Sequence, residues 1–487
     1  MPAAFHNGEY FPMNWAKSFL LCLLLANALT ANQLVHQKIL LLDSTLIERS
    51  ENIRIAVGRP GKFPGNPLFG EDRPWEPRFD NMYPNVIWDE TDRLFKCWYN
   101  LLVVGVENWI GSTEARTRWL YRQWGECYAI SQDGIHWEKP ALDLLPYRGQ
   151  ASNILLHDVV GAGVFRDGQE PNSKRRYKMF FVKPAVGDAQ RTVAVAFSSD
   201  GVHWGESTAL SNMKLDADTH NNAFWAPTLN RYVAITRDWN RNNPGEIKSV
   251  RLVARSESED FERWSDPQVI LRGSEDHLQV YAMPVFYYAG LYLGLPAIFN
   301  TRDDRVHVEL AWSKDTVTWH RVDSGTPLIP NGKNKGDYDW GCVYPAASPI
   351  LMKDEIRIYY AGFDGLHYGK RHGCLALATL RPDGFAAATP CDPVKEGKIV
   401  SVPVLFRDGD ELLLTADTEP EGSVQVSLLN RDGREVARSG PMAGSFTARP
   451  VEWLAPIARV TGEVRLSFTL SRAWLYSYDT VSHEGPK

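Results

Sequence analysis

The sequence predicts an all-β fold, a five-bladed β-propeller followed by a C-terminal β-sandwich, on three observations. A seven-residue pattern recurs, as SQDGIHW at Ser131–Trp137, SSDGVHW at Ser198–Trp204 and SKDTVTW at Ser313–Trp319. Looser copies stand at Ser256–Trp264 (SESEDFERW) and Thr379–Phe385 (TLRPDGF), and the aromatic ends lie 55 to 67 residues apart. Self-similarity at a near-constant period marks a repeat architecture. The second observation is the chemistry of the pattern. Asp-Gly favours the centre of a tight hairpin turn, where φ is positive, and the preceding Ser caps the turn with its hydroxyl. The aromatic residue then opens the return strand and packs inward. The third is that no stretch keeps apolar residues at i, i+3, i+4 for three turns, so long helices are not expected. Five units of three or four strands make five blades.

Along the chain, Lys17 precedes the apolar run Ser18–Ala26, and small residues follow to Ala31. That order is a secretory signal peptide over residues 1–31, with Met13 a plausible start and an apolar core too short for a mature membrane span. The protein is therefore expected to be secreted or periplasmic, with no membrane association after signal cleavage. Residues 38–58 alternate enough for one or two strands and are the candidate to close the ring by pairing into the last blade, which removes an open edge. Residues 59–77, rich in Pro and Gly, read as a surface connection. The first blade then runs from Phe79 to Trp137. The second opens with SNILLHD (Asp158), the third with DADTHNNAFW (Asp218, His220), the fourth with SEDHLQVYAM (Glu275, Asp276) and the fifth with GDYDWGCVYPA (Asp337, Asp339). Near Pro390 the period stops, and shorter strands with Asp-Gly turns follow. The domains are thus a signal peptide over 1–31, a propeller over 38–390 and a β-sandwich over 391–487.

Composition narrows the partners. A formal net charge of −6 and no run of Lys or Arg exclude nucleic acid and anionic membranes as expected partners. Export permits disulfides, but the five cysteines after the signal (Cys97, Cys127, Cys342, Cys374, Cys391) are odd in number and lack CxxC spacing. Neither a disulfide framework nor a zinc site is indicated. Cys97 and Cys127 read as two buried thiols in one sheet.

The chemistry is expected where the blades open. Innermost strands of a propeller converge on one axis, and each repeat opens on an acid: Asp80, Asp158, Asp218, Glu275-Asp276, Asp337/Asp339. A ring of carboxylates is costly, because like charges raise one another's pKa. It is also what glycosidic cleavage needs, one carboxyl to protonate the leaving oxygen and one to act as base or nucleophile. An Asp opening a strand can equally be a turn cap. His157, His220 and His277 stand beside carboxylates, but without ligand spacing, so no metal and no cofactor is expected.

The repeats, the Asp near the start of the first blade, the Asp opening the third and the acid opening the fourth resemble the five-bladed glycosidase superfamily of glycoside hydrolase families 32, 43, 62 and 68. The segments PWEPRFDNMYPNV and GDYDWGCVYPA also resemble secreted bacterial family-32-like proteins. The resemblance spans roughly residues 40–390. It implies Asp80 as base or nucleophile, Asp218 as orienting carboxylate and Glu275 or Asp276 as acid. Around them Arg78, Asn81, Asp158, His220, His277, Tyr281, Asp339 and Trp340 would bind substrate. The invertase signatures W-x-N-D-P-x-G and Arg-Asp-Pro are missing, which speaks against fructan hydrolysis. The sialidase Asp box is one residue longer between Asp and Gly than SQDGIHW, and sialidases use six blades. The expected function is a secreted glycoside hydrolase acting on a carbohydrate substrate. The alternatives are a non-catalytic carbohydrate-binding propeller and a glycoside phosphorylase, which would need one carboxylate plus a cluster of Arg and His for phosphate; Arg78, Arg237 and His220 are too few to read as one.

Overall fold

The computed structural model describes residues 38–104, 123–184, 191–213, 215, 217–240, 250–407, 409–455 and 460–481; the signal-peptide segment lies outside them. Among the described residues all regular structure is β except two short 3-10 turns, Ser44–Leu46 and Ser173–Arg175. The chain divides into two compact units, one spanning Ile55–Ala388 and the other joining the described residues up to Arg54 with those from Thr389 onward.

The larger unit is a propeller-like arrangement with four separate four-stranded antiparallel sheets. The first contains Asn85–Asp89, Leu94–Val104, Gln123–Ser131 and Ile154–His157. Ile154–His157, expected to open the second repeat, is thus the outer strand of the first sheet. The second contains Val160–Arg166, Tyr177–Lys183, Thr192–Ser198 and Thr208–Ala209. The third is built of Asn222–Ala226, Arg231–Asn240, Val250–Ser258 and Gln268–Arg272. The fourth consists of Val285–Tyr288, Leu291–Gly294, Leu310–Ser313 and His320–Val322. The fifth repeat supplies Cys342–Pro345, Ile356–Phe363 and Gly373–Leu380 to a nine-stranded sheet. That sheet reaches Arg305–Val308 through the parallel pair Val306↔Cys342.

The recurring heptad is a capped turn, and its geometry differs from the expected two-residue hairpin. Only one residue of each turn is left-handed: Gly134 (φ +75°), Gly201 (+82°), Phe261 (+67°) and Thr316 (+64°). The Ser hydroxyl caps the turn as expected: Ser131, Ser198 and Ser258 Oγ accept the N–H groups of Gly134, Gly201 and Phe261 at 2.8–2.9 Å. The Asp carboxylate, for which no capping role in this turn was expected, takes up the next two. Asp133 Oδ1 accepts the N–H groups of Ile135 and His136 at 2.8 Å, and Asp200 Oδ1 those of Val202 and His203 at 2.8 Å. Asp260 and Asp315 repeat the pattern. Trp137, Trp204, Trp264 and Trp319 are equivalent, each donating its indole N–H to the carbonyl three residues before it at 3.0–3.2 Å. Because the cap satisfies the backbone, a non-Gly residue is tolerated at the left-handed position, which explains the two copies without Asp-Gly.

Each turn also receives a hydrogen bond from the preceding repeat. Trp98 Nε1 donates to Gly201 O (2.6 Å), Arg175 to Asp260 O (2.7 Å) and Arg255 Nε to Thr316 Oγ1 (2.7 Å). Tyr288 OH donates to Asp383 Oδ1 (2.5 Å), and Tyr359 OH, from the fifth repeat, to Gly134 O (2.8 Å) in the first. The outer edge of Gly373–Leu380 is covered by Gly61–Lys62 and Phe69–Gly70. These lie in the Pro-rich segment read as a mere connection. The expected closing segment pairs elsewhere: Ile39–Leu40 with Gly462–Val481, and Ile47–Glu51 with Gly397–Ser401. An edge strand pairs through its backbone alone, so its side chains carry no pattern to find.

The smaller unit is organised on two paired strands of 19 and 20 residues, Glu411–Leu429 and Gly462–Val481, rather than on the short strands expected. Every second residue from Val464 to Leu470 is buried, and the phase shifts at left-handed Arg472 (φ +42°), after which Ala473 and Leu475 are buried. Cys97, Cys127, Cys342 and Cys374 are buried free thiols, as expected for the first two.

The turn contacts predict a graded response to added methyl groups. A Cβ at Gly201 would lie 2.5 Å from Trp98 Cζ2, whereas one at left-handed Gly149 (φ +81°) would meet nothing within 4 Å. Gly149→Ala should cost about 1 kcal/mol from backbone strain alone. Gly201→Ala should cost about 2–3 kcal/mol more through overpacking. Urea midpoints measured on both variants test the difference.

Candidate functional site

The site is built around a strained segment. Asn81, Met82 and Tyr83 are successive left-handed residues (φ +58°, +60° and +44°), a conformation that persists only where surroundings enforce it. The surroundings here are the first sheet: Asn100 N–H donates to Met82 O (2.7 Å), and Leu102 N–H to Arg78 O (3.1 Å). The bend buries Asn81 and Tyr83. Asn81 Nδ2 donates to the hydroxyls of Tyr83 (2.9 Å) and Tyr281 (3.1 Å), and its Oδ1 accepts from Arg371. One amide thereby ties the first, fourth and fifth repeats together.

Around Asn81 lies a set of buried guanidinium groups. Arg237 (2% exposed) and Arg251 (8%) sit over the Tyr281 ring at 4.3 and 5.0 Å, and Arg371 (4%) over Phe363 at 4.4 Å. Arg237 donates to Tyr281 O (2.6 Å) and Arg251 to Gln279 Oε1 (2.8 Å). His367 Nδ1 lies 3.1 Å from Tyr344 OH and 3.4 Å from Arg371 Nη1. Arginine can only donate, so Nδ1 is the acceptor and the ring proton resides on Nε2. Burial, then the charges of Arg371, Arg251, Arg237 and Arg78, hold the His367 pKa well below the usual histidine range, so the ring is neutral.

Asp80 is half-buried beside this set; its Oδ2 accepts from Trp124 Nε1 (3.0 Å) and its charge acts on Arg371. Asp218, also half-buried, pairs with Arg191 (3.4 Å), and its charge acts on Tyr83. Arg78 is buried in the same neighbourhood. His220 is buried 5.5 Å from the Tyr83 ring with Nε2 3.1 Å from Asn85 Oδ1, and desolvation pushes its pKa down to about 3. Asp158 is exposed and left-handed (φ +61°), its N–H donating to Trp124 O (2.8 Å).

The remaining expected residues stand apart from this cluster. Glu275, with its side chain 61% exposed, pairs with His277 Nδ1 (3.1 Å), and Asp276 is exposed, its carbonyl accepting from Gln279 Nε2 (3.0 Å). Both belong to the turn before Leu278–Ala282, where Leu278 N–H donates to Glu275 O, so they cap the strand rather than line it. Asp339 is 1% exposed, neutralised by Lys62 (2.6 Å), and accepts a hydrogen bond from the Tyr360 hydroxyl (3.0 Å). It lines a separate cavity of about 390 Å³ with Pro60, Pro330, Lys333 and Tyr338. Trp340 is half-buried under the Arg305 guanidinium (5.0 Å). No group of three His, Cys, Asp or Glu is placed to hold a metal among the described residues.

Arg251, Arg371, His367 and Tyr344 were not anticipated. The available signal was charge inside an apolar strand (SVRLVARS) and a basic, aromatic loop (LHYGKRHGC). Both fall outside the repeated motif.

No family model matches the chain, and no curated protein matches it by sequence. Solved structures with a similar arrangement include a member of the GH130 family of mannoside phosphorylases, described as containing glycoside hydrolases that target beta-1,2 mannosidic linkages in Candida mannan. It is 15% identical with a TM-score of 0.46, covering 69% of this chain and 97% of that one. The beta-1,2-mannobiose phosphorylase from Listeria innocua is 14% identical (TM-score 0.45; 67% and 96% covered). A thermostable family-43 glycoside hydrolase is 14% identical (TM-score 0.43; 64% and 94% covered).

One further carboxyl is buried outright. Glu126 is fully enclosed in the first sheet, 3.4 Å from Asn100 Nδ2, and desolvation pushes its pKa well above the usual carboxylate range. In the unfolded chain it ionises near its ordinary value of 4.5. Stability therefore falls as pH rises from there toward the folded pKa, at about 1.4 kcal/mol per pH unit. Glu126→Gln should match the parent at pH 4.5 and be more stable at pH 8, as read from denaturant midpoints at both values.

Proposed function

We propose that the protein is a secreted carbohydrate-active enzyme that cleaves a glycosidic bond with Asp80 and Asp218 in the cup of a five-bladed propeller, followed by a β-sandwich. The five-fold count is supported by the cycle of turn contacts, in which the first repeat receives its bond from the fifth. Closure on Gly61–Lys62 and Phe69–Gly70 supports it too. The observation that carries the catalytic reading is convergence. Asp80 and Asp218 come from different repeats, yet one acts on Arg371 and the other on Tyr83, and Asn81 bonds both of those residues.

A carboxyl pair of this kind can protonate the leaving oxygen and assist attack at the anomeric carbon. The Trp124 indole fixes one oxygen of Asp80, so the carboxylate meets the substrate in a set orientation. The Tyr83 and Tyr281 hydroxyls accept from Asn81 and so keep their own protons to donate to a sugar. Glu275 and Asp276 take no part in this scheme.

Turnover on a broad oligosaccharide panel is the test. Asp80→Asn and Asp218→Asn should each lower kcat by about 10³-fold or more, since these groups act mainly in the transition state, with melting temperature little changed. Sugar binding without turnover by the parent protein would favour the binding-module reading. Variants that keep full activity would remove both carboxylates from the mechanism.

A further inference from the structure

We propose that Arg237, Arg251 and Arg371 form a binding site for a phosphoryl dianion, presented either as inorganic phosphate or as a phosphorylated sugar. The proposal rests on the cup being a substrate site, but the binding it predicts needs no turnover.

The first argument is the missing counter-charge. Among the described residues none of the three guanidinium groups forms an ion pair with a carboxylate, and each is at least nine-tenths buried. Their hydrogen-bond acceptors are neutral: a backbone carbonyl for Arg237, a Gln279 amide and the Tyr368 hydroxyl for Arg251, an Asn81 amide and the Cys342 sulfur for Arg371. Among the described residues the Nε–H of each has no partner. Structural arginines at this depth are normally neutralised, because an uncompensated buried charge is strongly unfavourable.

The second argument is orientation. Aromatic faces hold the guanidinium planes in place without neutralising them: Tyr281 and Trp239 for Arg237 and Arg251, Phe299 for Arg251, Phe363 for Arg371. Rigid forks with charge to spare match an oxyanion with several acceptor oxygens. The third argument is charge balance. The charges of four guanidinium groups, Arg78 included, act on His367, while Asp80 and Asp304 act on Arg371 and Asp218 is paired with Arg191. A dianion suits the surplus better than a single sugar carboxylate.

Calorimetry on the purified full chain tests this with inorganic phosphate, glucose 1-phosphate and glucose 6-phosphate, against sodium chloride at matched ionic strength. Binding of inorganic phosphate would show that the site takes the free ion. Binding of a sugar phosphate alone would place the phosphoryl group on the substrate. Either outcome supports the site. Arg371→Met and Arg251→Met should each weaken the binding at least tenfold, and Arg371→Lys, which keeps the charge but loses the fork, should fall between. Arg237→Met should raise the melting temperature of the ligand-free protein while lowering affinity, a combination that a structural arginine would not give. Asp80→Asn should still bind, so a failed catalytic assignment leaves this result readable. Phosphates that bind no better than chloride, or methionine variants that bind like the parent, would overturn the proposal.

Discussion

The hydrogen bond from each repeat into the next repeat's capped turn is the constraint on which the large unit depends. A blade of four strands cannot bury both faces by itself, so neighbouring blades must be held in fixed register. The Asp carboxylate, by taking up two backbone N–H groups, frees the turn's remaining polar atoms to face the neighbour. The acceptors offered there are backbone carbonyls in three turns and side chains in two. Different donors, Trp, Arg and Tyr, reach equivalent places. The repeat is therefore conserved within the molecule as geometry rather than as letters.

That geometry sets the interior. With the turns fixed outside, the segments that open the repeats are brought together, and the left-handed run Asn81–Tyr83 becomes affordable because neighbouring strands bond its carbonyls. Asn81 then replaces what would otherwise be a charged contact. It orients Arg371 without neutralising it and fixes two tyrosine hydroxyls. The same low-dielectric surroundings keep His367 and His220 neutral and Glu126 protonated across the ordinary working range. The positive charge around Asn81 thus resides on arginine, whose ionisation burial does not remove.

Acidic residues at equivalent sequence positions do not share a role. Asp80 and Asp218 act on the buried cluster, Asp339 is spent on Lys62, and Glu275 is turned to solvent with His277. The difference lies in where each strand begins. Glu275 and Asp276 precede Leu278–Ala282 by a full turn, while the segment carrying Asp80 runs beside the first sheet's Leu94–Val104 through Arg78 and Met82.

The sequence by itself determined the all-β class, the repeat and its Ser-capped turns, because these rest on local patterns: alternation, a hydroxyl three residues before the N–H it accepts, an aromatic at a fixed offset. That the Asp carboxylate accepts the next two N–H groups came from the structure. It also picked out Asp80, Asn81, His220 and Tyr281 as residues standing where repeats open, and the structure sets Asn81 against Tyr281 and His220 beside Tyr83. Only the tertiary structure decided which strands cover the edge of Gly373–Leu380, because an edge strand contributes backbone and leaves no hydrophobic pattern. Tertiary structure alone also assembled the arginines. Arg237, Arg251 and Arg371 come from two strands and a loop up to 134 residues apart, between Arg237 and Arg371, and nothing in their own neighbourhoods says that they meet. A buried charge is recognised by the counter-charge it lacks, and that is a property of three dimensions.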